Sequence, residues 1–186
     1  MLNQFNLHII DAGRMNKDTL AAISDLRRCA WHSSDLALYC DSRYALIDGL
    51  EHDSIHFMVW HGSRLVSVAR LSLLRPAMPM EDPICRLLDM SERPVLLSRL
   101  ATRPEYRKLG LASFLIEQRL TYLMQQEIDC DVFAYMRSSA AAHYTSAFGF
   151  ELLEHSNTPY PDSCLMRRRM ETRTDCCQVK KIVGWE

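Results

Sequence analysis

The segment from Val95 to Gln126 constrains the fold more than any other stretch of the chain. VLLSRLAT (95–102) reads as a strand, and Pro104 stops it. Arg107-Lys108-Leu109-Gly110 follow, and an apolar pattern at helical spacing begins at once, running to about Gln126. On that helix Ser113, Glu117, Thr121 and Gln125 form a polar stripe, and most of the remainder is apolar. A strand that turns into a helix through a short basic, glycine-bearing loop requires a packed layer of each kind.

The flanking sequence supplies the other elements. FNLHII (5–10) is a short strand. Asn16 or Asp18 is placed to cap a helix carrying Leu20, Ile23, Leu26 and Ala30. Residues 34–50 suggest a second, shorter helix followed by irregular chain. IHFMVW (55–60), a turn at His61-Gly62-Ser63 and RLVSVARLSLL (64–74) make a hairpin. Four of the seven prolines fall within 75–94, which predicts an ordered loop or lid without a regular element. DVFAYM (131–136) is a strand, Ser138 to Phe148 a helix, Phe150 to His155 a strand, and SCLMRRRM (163–170) a last strand after a turn with Pro159 and Pro161. The order predicts a mixed α/β (α+β) domain over residues 1–170, built on one largely antiparallel sheet flanked by helices. Residues 171–186 read as an appended tail.

Composition excludes several classes of function. The 186 residues suffice for one domain with a substantial core. A formal net charge of -1 provides no bulk field for nucleic acid or an anionic membrane, so any anion site is local. The opening MLNQFNLHIIDAGR lacks the features of a signal peptide, and no apolar run reaches the length of a membrane span. Seven scattered cysteines without a CxxC pair point away from a disulfide framework and from a zinc site. A cytoplasmic protein without a metal is the expectation.

The turn at 107–112 has a chemistry of its own. A helix N-terminus presents unpaired N–H groups and about half a positive charge, which suits phosphate. Gly110 permits a close approach by a ligand, Ala112 keeps the first turn small, and Arg107 and Lys108 add cationic donors. A P-loop needs Gly-Lys-Ser/Thr, but Gly110 is followed by Leu-Ala-Ser. A dinucleotide fingerprint needs further glycines that this stretch lacks.

The pattern R-x-x-G-x-A, after a strand and P-x-Y, resembles the acyl-CoA-binding motif of the GNAT superfamily of N-acyltransferases. About thirty residues on, AAAHYTSAFGF (140–150) is similar to the family's second signature, with Ala140, Tyr144, Gly149 and Phe150 in place. The resemblance implies that strands 95–102 and 131–136 splay apart to admit the pantetheine arm of acetyl-CoA or another acyl-CoA. It further implies that the backbones of Leu100, Ala101 and Thr102 bond the pantetheine amides. Arg107, Lys108, Leu109, Gly110, Leu111 and Ala112 would hold the pyrophosphate, and Tyr144 would be the general acid. The implied reaction is direct attack of a primary amine, on a small molecule or a protein, without metal, nucleic acid or membrane. The resemblance leaves room for a homodimer.

Two departures bear on the chemistry. Many relatives carry a glutamate on the strand before the loop, whereas this strand reads Val95-Leu96-Leu97-Ser98-Arg99. Glu51, His52, Asp53, His56, Asp89 and Glu92 are the other groups near the expected cleft. The family's frequent asparagine near the second motif is replaced by Arg137, and the usual aromatic before Tyr144 is His143. SVARLSLLRP, a proline-broken segment and LLSRLA also resemble acyl-homoserine-lactone synthases, which share the fold. That likeness implies substrate contacts for Arg70 and Arg99 and opens the alternative of a long-chain acyl donor. A CoA-binding module without catalysis is a further alternative.

Overall fold

The computed structural model of the chain describes residues 4–32, 50–76, 82–154 and 162–171. Seven strands form one sheet in the order β1-β2-β3-β4-β5-β7-β6. They are β1 (Phe5–Asp11), β2 (Ser54–His61), β3 (Arg64–Leu73), β4 (Pro94–Thr102), β5 (Cys130–Arg137), β6 (Glu151–Glu154) and β7 (Ser163–Met170). Every neighbouring pair is antiparallel except β4 and β5. A parallel pair needs a crossover, and the helix that begins after Gly110 provides it.

Four helices accompany the sheet: α1 (Lys17–His32), α2 (Asp82–Met90), α3 (Leu111–Gln125) and α4 (Ala141–Phe148). Asn16 caps α1, its side-chain oxygen accepting the Thr19 N–H at 2.8 Å, so the cap is Asn16 rather than Asp18. In the β2–β3 hairpin His61 already pairs with Arg64, which leaves Gly62 and Ser63 as a two-residue loop with Gly62 at φ 58°.

Side chains alternate between the two faces of each strand, so the sheet has two cores. On one face Ile23, Leu26 and Ala30 of α1 meet Met58, Val68 and Ala101, and Leu87 of α2 meets Leu96, Phe133 and Leu165. On the other face α3 lays Leu111, Leu115, Ile116, Leu120 and Leu123 against Phe57, Ala69, Leu71, Val95, Leu97, Val132 and Ala134.

The segment 75–94 departs from the expectation of irregular chain, because it contains α2. Proline is tolerated in the first turn of a helix, where its missing N–H would have no partner, and Pro83 occupies that place. The expected helix at 34–50, the turn with Pro159 and Pro161, and the tail beyond Glu171 lie outside the described residues, apart from Leu50.

Two irregularities in β4 shape the functional region. Its ladder to β5 runs only from Pro94↔Asp131 to Leu97↔Ala134, although β4 continues to Thr102 and β5 to Arg137. Its ladder to β3 slips between Val68 and Arg70, where β4 inserts an extra residue, and Arg99 stands there at φ 54°. A β-bulge of this kind bends and twists its strand. The two strands therefore pair at one end and part at the other.

Candidate active site

Beyond Leu97 the parted strands open onto the start of α3, and a cavity of about 550 Å³ lies there. Leu100, Ala101 and Thr102 of β4 line one side, Arg137 at the end of β5 another, and Ala30 and Trp31 of α1 a third. Tyr106, Arg107, Lys108, Gly110, Leu111, Ala112 and Ser113 complete the wall. Eight of the expected donor-binding residues thus come together, Leu109 being the exception, 46% exposed at the rim.

The loop before α3 is held from below. Arg103 is buried; its Nε donates to the Leu65 carbonyl at 2.9 Å and its Nη2 to Asp25 of α1 at 2.5 Å. The Tyr106 hydroxyl meets His61 Nδ1 at 3.0 Å. Arg107 donates from Nη2 to the Ala30 carbonyl at 2.6 Å, so its guanidinium secures the C-terminal part of α1 to the loop. Lys108 and Gly110 both adopt positive φ, 65° and 79°. A Cβ added at Gly110 would meet nothing within 4 Å, so the glycine serves the backbone conformation and leaves the approach to α3 open. Phe114 N–H is the first to bond back to Gly110, which leaves the N–H groups of Leu111, Ala112 and Ser113 at the helix mouth without intrahelical acceptors. The wall carries Arg107, Lys108 and Arg137 and no carboxylate. Backbone donors, a helix dipole and three cations fit a pyrophosphate.

Tyr144 lies on α4, outside the wall. Its ring packs edge-on to His143, Phe148 and Phe150, and His143 Nε2 reaches the Ser113 hydroxyl at 3.4 Å. Burial pushes the Tyr144 phenol above its ordinary value, while the nearby positive charge of Arg119 pulls it back. Gly149, in the left-handed region at φ 67°, ends α4 and returns the chain into β6.

Arg70 is 1% exposed and lies on the α1 face of the sheet. It donates to Glu51 at 2.9 Å and to Ser98 Oγ at 3.1 Å. Arg27 of α1 meets the other Glu51 oxygen at 2.8 Å. Burial alone would raise Glu51, but Arg27 and Arg70 outweigh it and hold the carboxylate below the usual range. His56 sits 3.5 Å from the same carboxylate, and burial pushes it down to about 4, which leaves it neutral at pH 7. Arg70 is thus engaged beneath the sheet surface and does not reach the cavity. Arg99 also lies off the wall, its guanidinium 5.8 Å from the centre of Trp31, which does line it. Among the candidates for a base, Glu51 is clamped between two arginines, while Asp53, Asp89 and Glu92 are exposed.

Sequence reasoning missed two features. One is the Arg27–Glu51–Arg70 cluster, assembled from three distant segments with no shared motif. The other is Arg119, 2% exposed on α3 and lowered to about 10 by burial, so still charged at neutral pH. It could have been found: Leu111, Leu115, Arg119 and Leu123 form one row at i, i+4 spacing, and a charge in an apolar row is an anomaly.

Among the described residues no helix is long and apolar enough to cross a membrane. No curated protein sequence matches the chain. Solved structures share its fold over most of their length. An acyl-CoA N-acyltransferase from Pseudomonas aeruginosa is 21% identical with a TM-score of 0.65, covering 88% of this chain and 99% of its own. Escherichia coli ElaA is also 21% identical, with a TM-score of 0.67 and the same coverage. FeeM, an N-acyl amino acid synthase from uncultured soil microbes, is 15% identical with a TM-score of 0.62, covering 91% of this chain and 92% of its own. The model of the acetyltransferase (GNAT) family matches residues 20–150, the span that holds β2 to β5, the glycine turn and α4. The chain belongs to the GNAT acetyltransferase family.

Proposed function

We propose that the protein is an N-acetyltransferase that moves the acetyl group of acetyl-CoA directly to a primary amine. The observation that carries this reading is the cavity at the parted β4–β5 end, with the α3 N-terminus at its mouth and a cationic, carboxylate-free wall. The backbones of Leu100, Ala101 and Thr102 hold the pantetheine arm, and residues 107–112 hold the pyrophosphate.

The amine must lose a proton and the thiolate must gain one. An alkyl ammonium with a pKa near 10.4 costs about 4.6 kcal/mol to deprotonate at pH 7. With Glu51 held charged by two arginines and His56 buried, water carries this proton away. As the nitrogen bonds the carbonyl carbon and the C–S bond breaks, its electron pair goes to sulfur. Tyr144 then protonates the thiolate.

The test is turnover of acetyl-CoA with a panel of amines, scored by free thiol released. Tyr144→Phe should lower kcat by about 10² or more with CoA binding intact. Unchanged turnover in that variant removes Tyr144 from the mechanism, and no acyl transfer to any amine favours a binding module. Thermal shifts with CoA, acetyl-CoA and octanoyl-CoA rank the donors. At 100 times its Kd a ligand adds about 2.7 kcal/mol, roughly 5–11 °C for a domain of this size. A preference for octanoyl-CoA moves the reading to a long-chain acyltransferase.

A further inference from the structure

Arg119 is a buried cation that no carboxylate pairs among the described residues. Its Nε donates to Leu115 of its own helix at 3.0 Å, and its Nη1 crosses to the sheet and donates to the Arg70 carbonyl at 3.0 Å. Arg70 is the residue of β3 at which the ladder slips, opposite the bulge at Arg99. An interrupted ladder leaves backbone groups in need of partners, and a long side chain from the other layer supplies one here. The ionisable group on which the Arg119 charge acts is Tyr144. One side chain therefore touches the β3 carbonyl that faces the bulged strand and bears on the phenol of α4.

We infer that Arg119 is a positioning residue for acyl transfer, pinning the sheet at the β4 bulge and holding a positive charge beside the Tyr144 phenol. The inference rests on the reading of Tyr144 as proton donor. When the C–S bond breaks, the phenolic proton passes to sulfur and a phenolate remains inside the protein. An adjacent guanidinium stabilises that phenolate without itself moving a proton, and solvent returns the proton to Tyr144 after release. A leucine in the same row would complete the apolar face of α3 and do neither.

The surroundings make the effect measurable. Tyr144 has Arg119 opposite it on α3 and His143 beside it on its own helix. Phe148 and Phe150 close its other sides, and Arg168 of β7 bonds the Phe148 carbonyl at 2.8 Å. A phenol that must be protonated to act loses activity as pH rises through its pKa. Arg119 is itself lowered to about 10 by burial, so in the parent enzyme this alkaline limb belongs to the coupled pair.

The experiment measures kcat and KM for acetyl-CoA against pH in the full chain, for Arg119→Met, Arg119→Lys, Tyr144→Phe and the double variant Arg119→Met/Tyr144→Phe. The thermal shift with CoA serves as the check on folding. Arg119→Met should lower kcat tenfold to a hundredfold, an order-of-magnitude expectation, with KM nearly unchanged. Its alkaline limb should move up by about one pH unit or more, because the charge that favoured the phenolate is gone. Arg119→Lys keeps the charge and should leave the limb in place while losing part of kcat. In the Tyr144→Phe background the Arg119→Met effect on kcat should shrink, since the two side chains act as one unit. An unmoved limb in Arg119→Met, beside a normal loss in Tyr144→Phe, overturns the role of Arg119 alone. So does a limb that moves equally in the lysine variant. Unchanged turnover in Tyr144→Phe refutes the proton-donor reading first and takes the inference with it. Should Arg119→Met fail to fold, the lysine variant still decides the matter by its limb.

Discussion

Replacing Glu51 by glutamine tests the account of the buried charge cluster. Arg27, Glu51, His56 and Arg70 are each at most 1% exposed, and Glu51 is the anion that both guanidiniums address. The amide keeps the shape and one acceptor but removes the charge, leaving two cations buried against each other. Breaking a buried ion pair by removing one partner costs about 3–5 kcal/mol, because the survivor stays desolvated without compensation. For a chain of this size that is roughly 6–20 °C in Tm. The comparison is Glu105→Gln, which removes a pair with Arg64 whose side chains are about half exposed, and whose loss should cost about 0–1 kcal/mol. Urea unfolding, followed by circular dichroism and tryptophan fluorescence at pH 7, gives both values with one slope. A Glu51→Gln penalty no larger than that of Glu105→Gln would refute the reasoning. It would mean that water reaches the cluster and screens it, and that the burial of Arg70 does not explain its absence from the cavity wall.

Three further outcomes follow from the same geometry. Gly110→Ala places a side chain at φ 79° with open space around it, so the cost is conformational, about 1–2 kcal/mol, and should appear in chemical denaturation together with a weakened thermal shift by CoA. Arg107→Ala removes the bond to the Ala30 carbonyl as well as a cation at the cavity, so it should cost about 1 kcal/mol in the absence of any ligand, where Lys108→Ala should cost close to nothing. His56 is lowered to about 4 from about 6.5, so the folded state binds fewer protons than the unfolded chain between those values. Its contribution is complete above pH 6.5 and fades as pH falls toward 4, by about 3 kcal/mol in all. Replacing it by glutamine should flatten the stability profile over that window. Glu51, lowered by its arginines, loses its contribution only as pH falls below about 4.3.

The fold was legible where local chemistry and global topology agree. Strand, glycine turn and apolar helix occur within thirty residues in one reading direction, and the parallel β4–β5 pair follows from the crossover they demand. The hairpin at Gly62 and the cap at Asn16 are signals of the same local kind. The helix at 82–90 was hidden because prolines were counted without regard to position, and Pro83 falls where a helix accepts one. At the cavity, the residues named from the turn and from β4 are neighbours along the chain, so their convergence required little beyond the correct elements. The cluster of Arg27, Glu51 and Arg70 joins α1, a single turn before β2 and the middle of β3. Nothing in spacing marks such a meeting, since each of these residues reads as an ordinary surface charge until its element is docked.

The bulge in β4 shows why cavity and core cannot be assigned to separate residues. An extra residue at Arg99 is unfavourable in two ways: it needs positive φ in a side-chain-bearing residue, and it interrupts the β3–β4 ladder. Each consequence is met by a different layer. On the α1 face Arg99 lies over Trp31, and Arg70 bonds Ser98 while held by Glu51. On the α3 face Arg119 bonds the Arg70 carbonyl. The same extra residue bends β4 just past Leu97, its last partner in β5, and so sets where the strands part. A regular β4 would continue pairing toward Thr102 and Arg137 and close the opening in which the donor is proposed to lie. Three buried arginines around one strand are poor stabilisers in themselves, because buried ion pairs offset their desolvation at best. Their placement is explained by what they hold: a strand kept out of register with both neighbours, with a cavity at the point of departure.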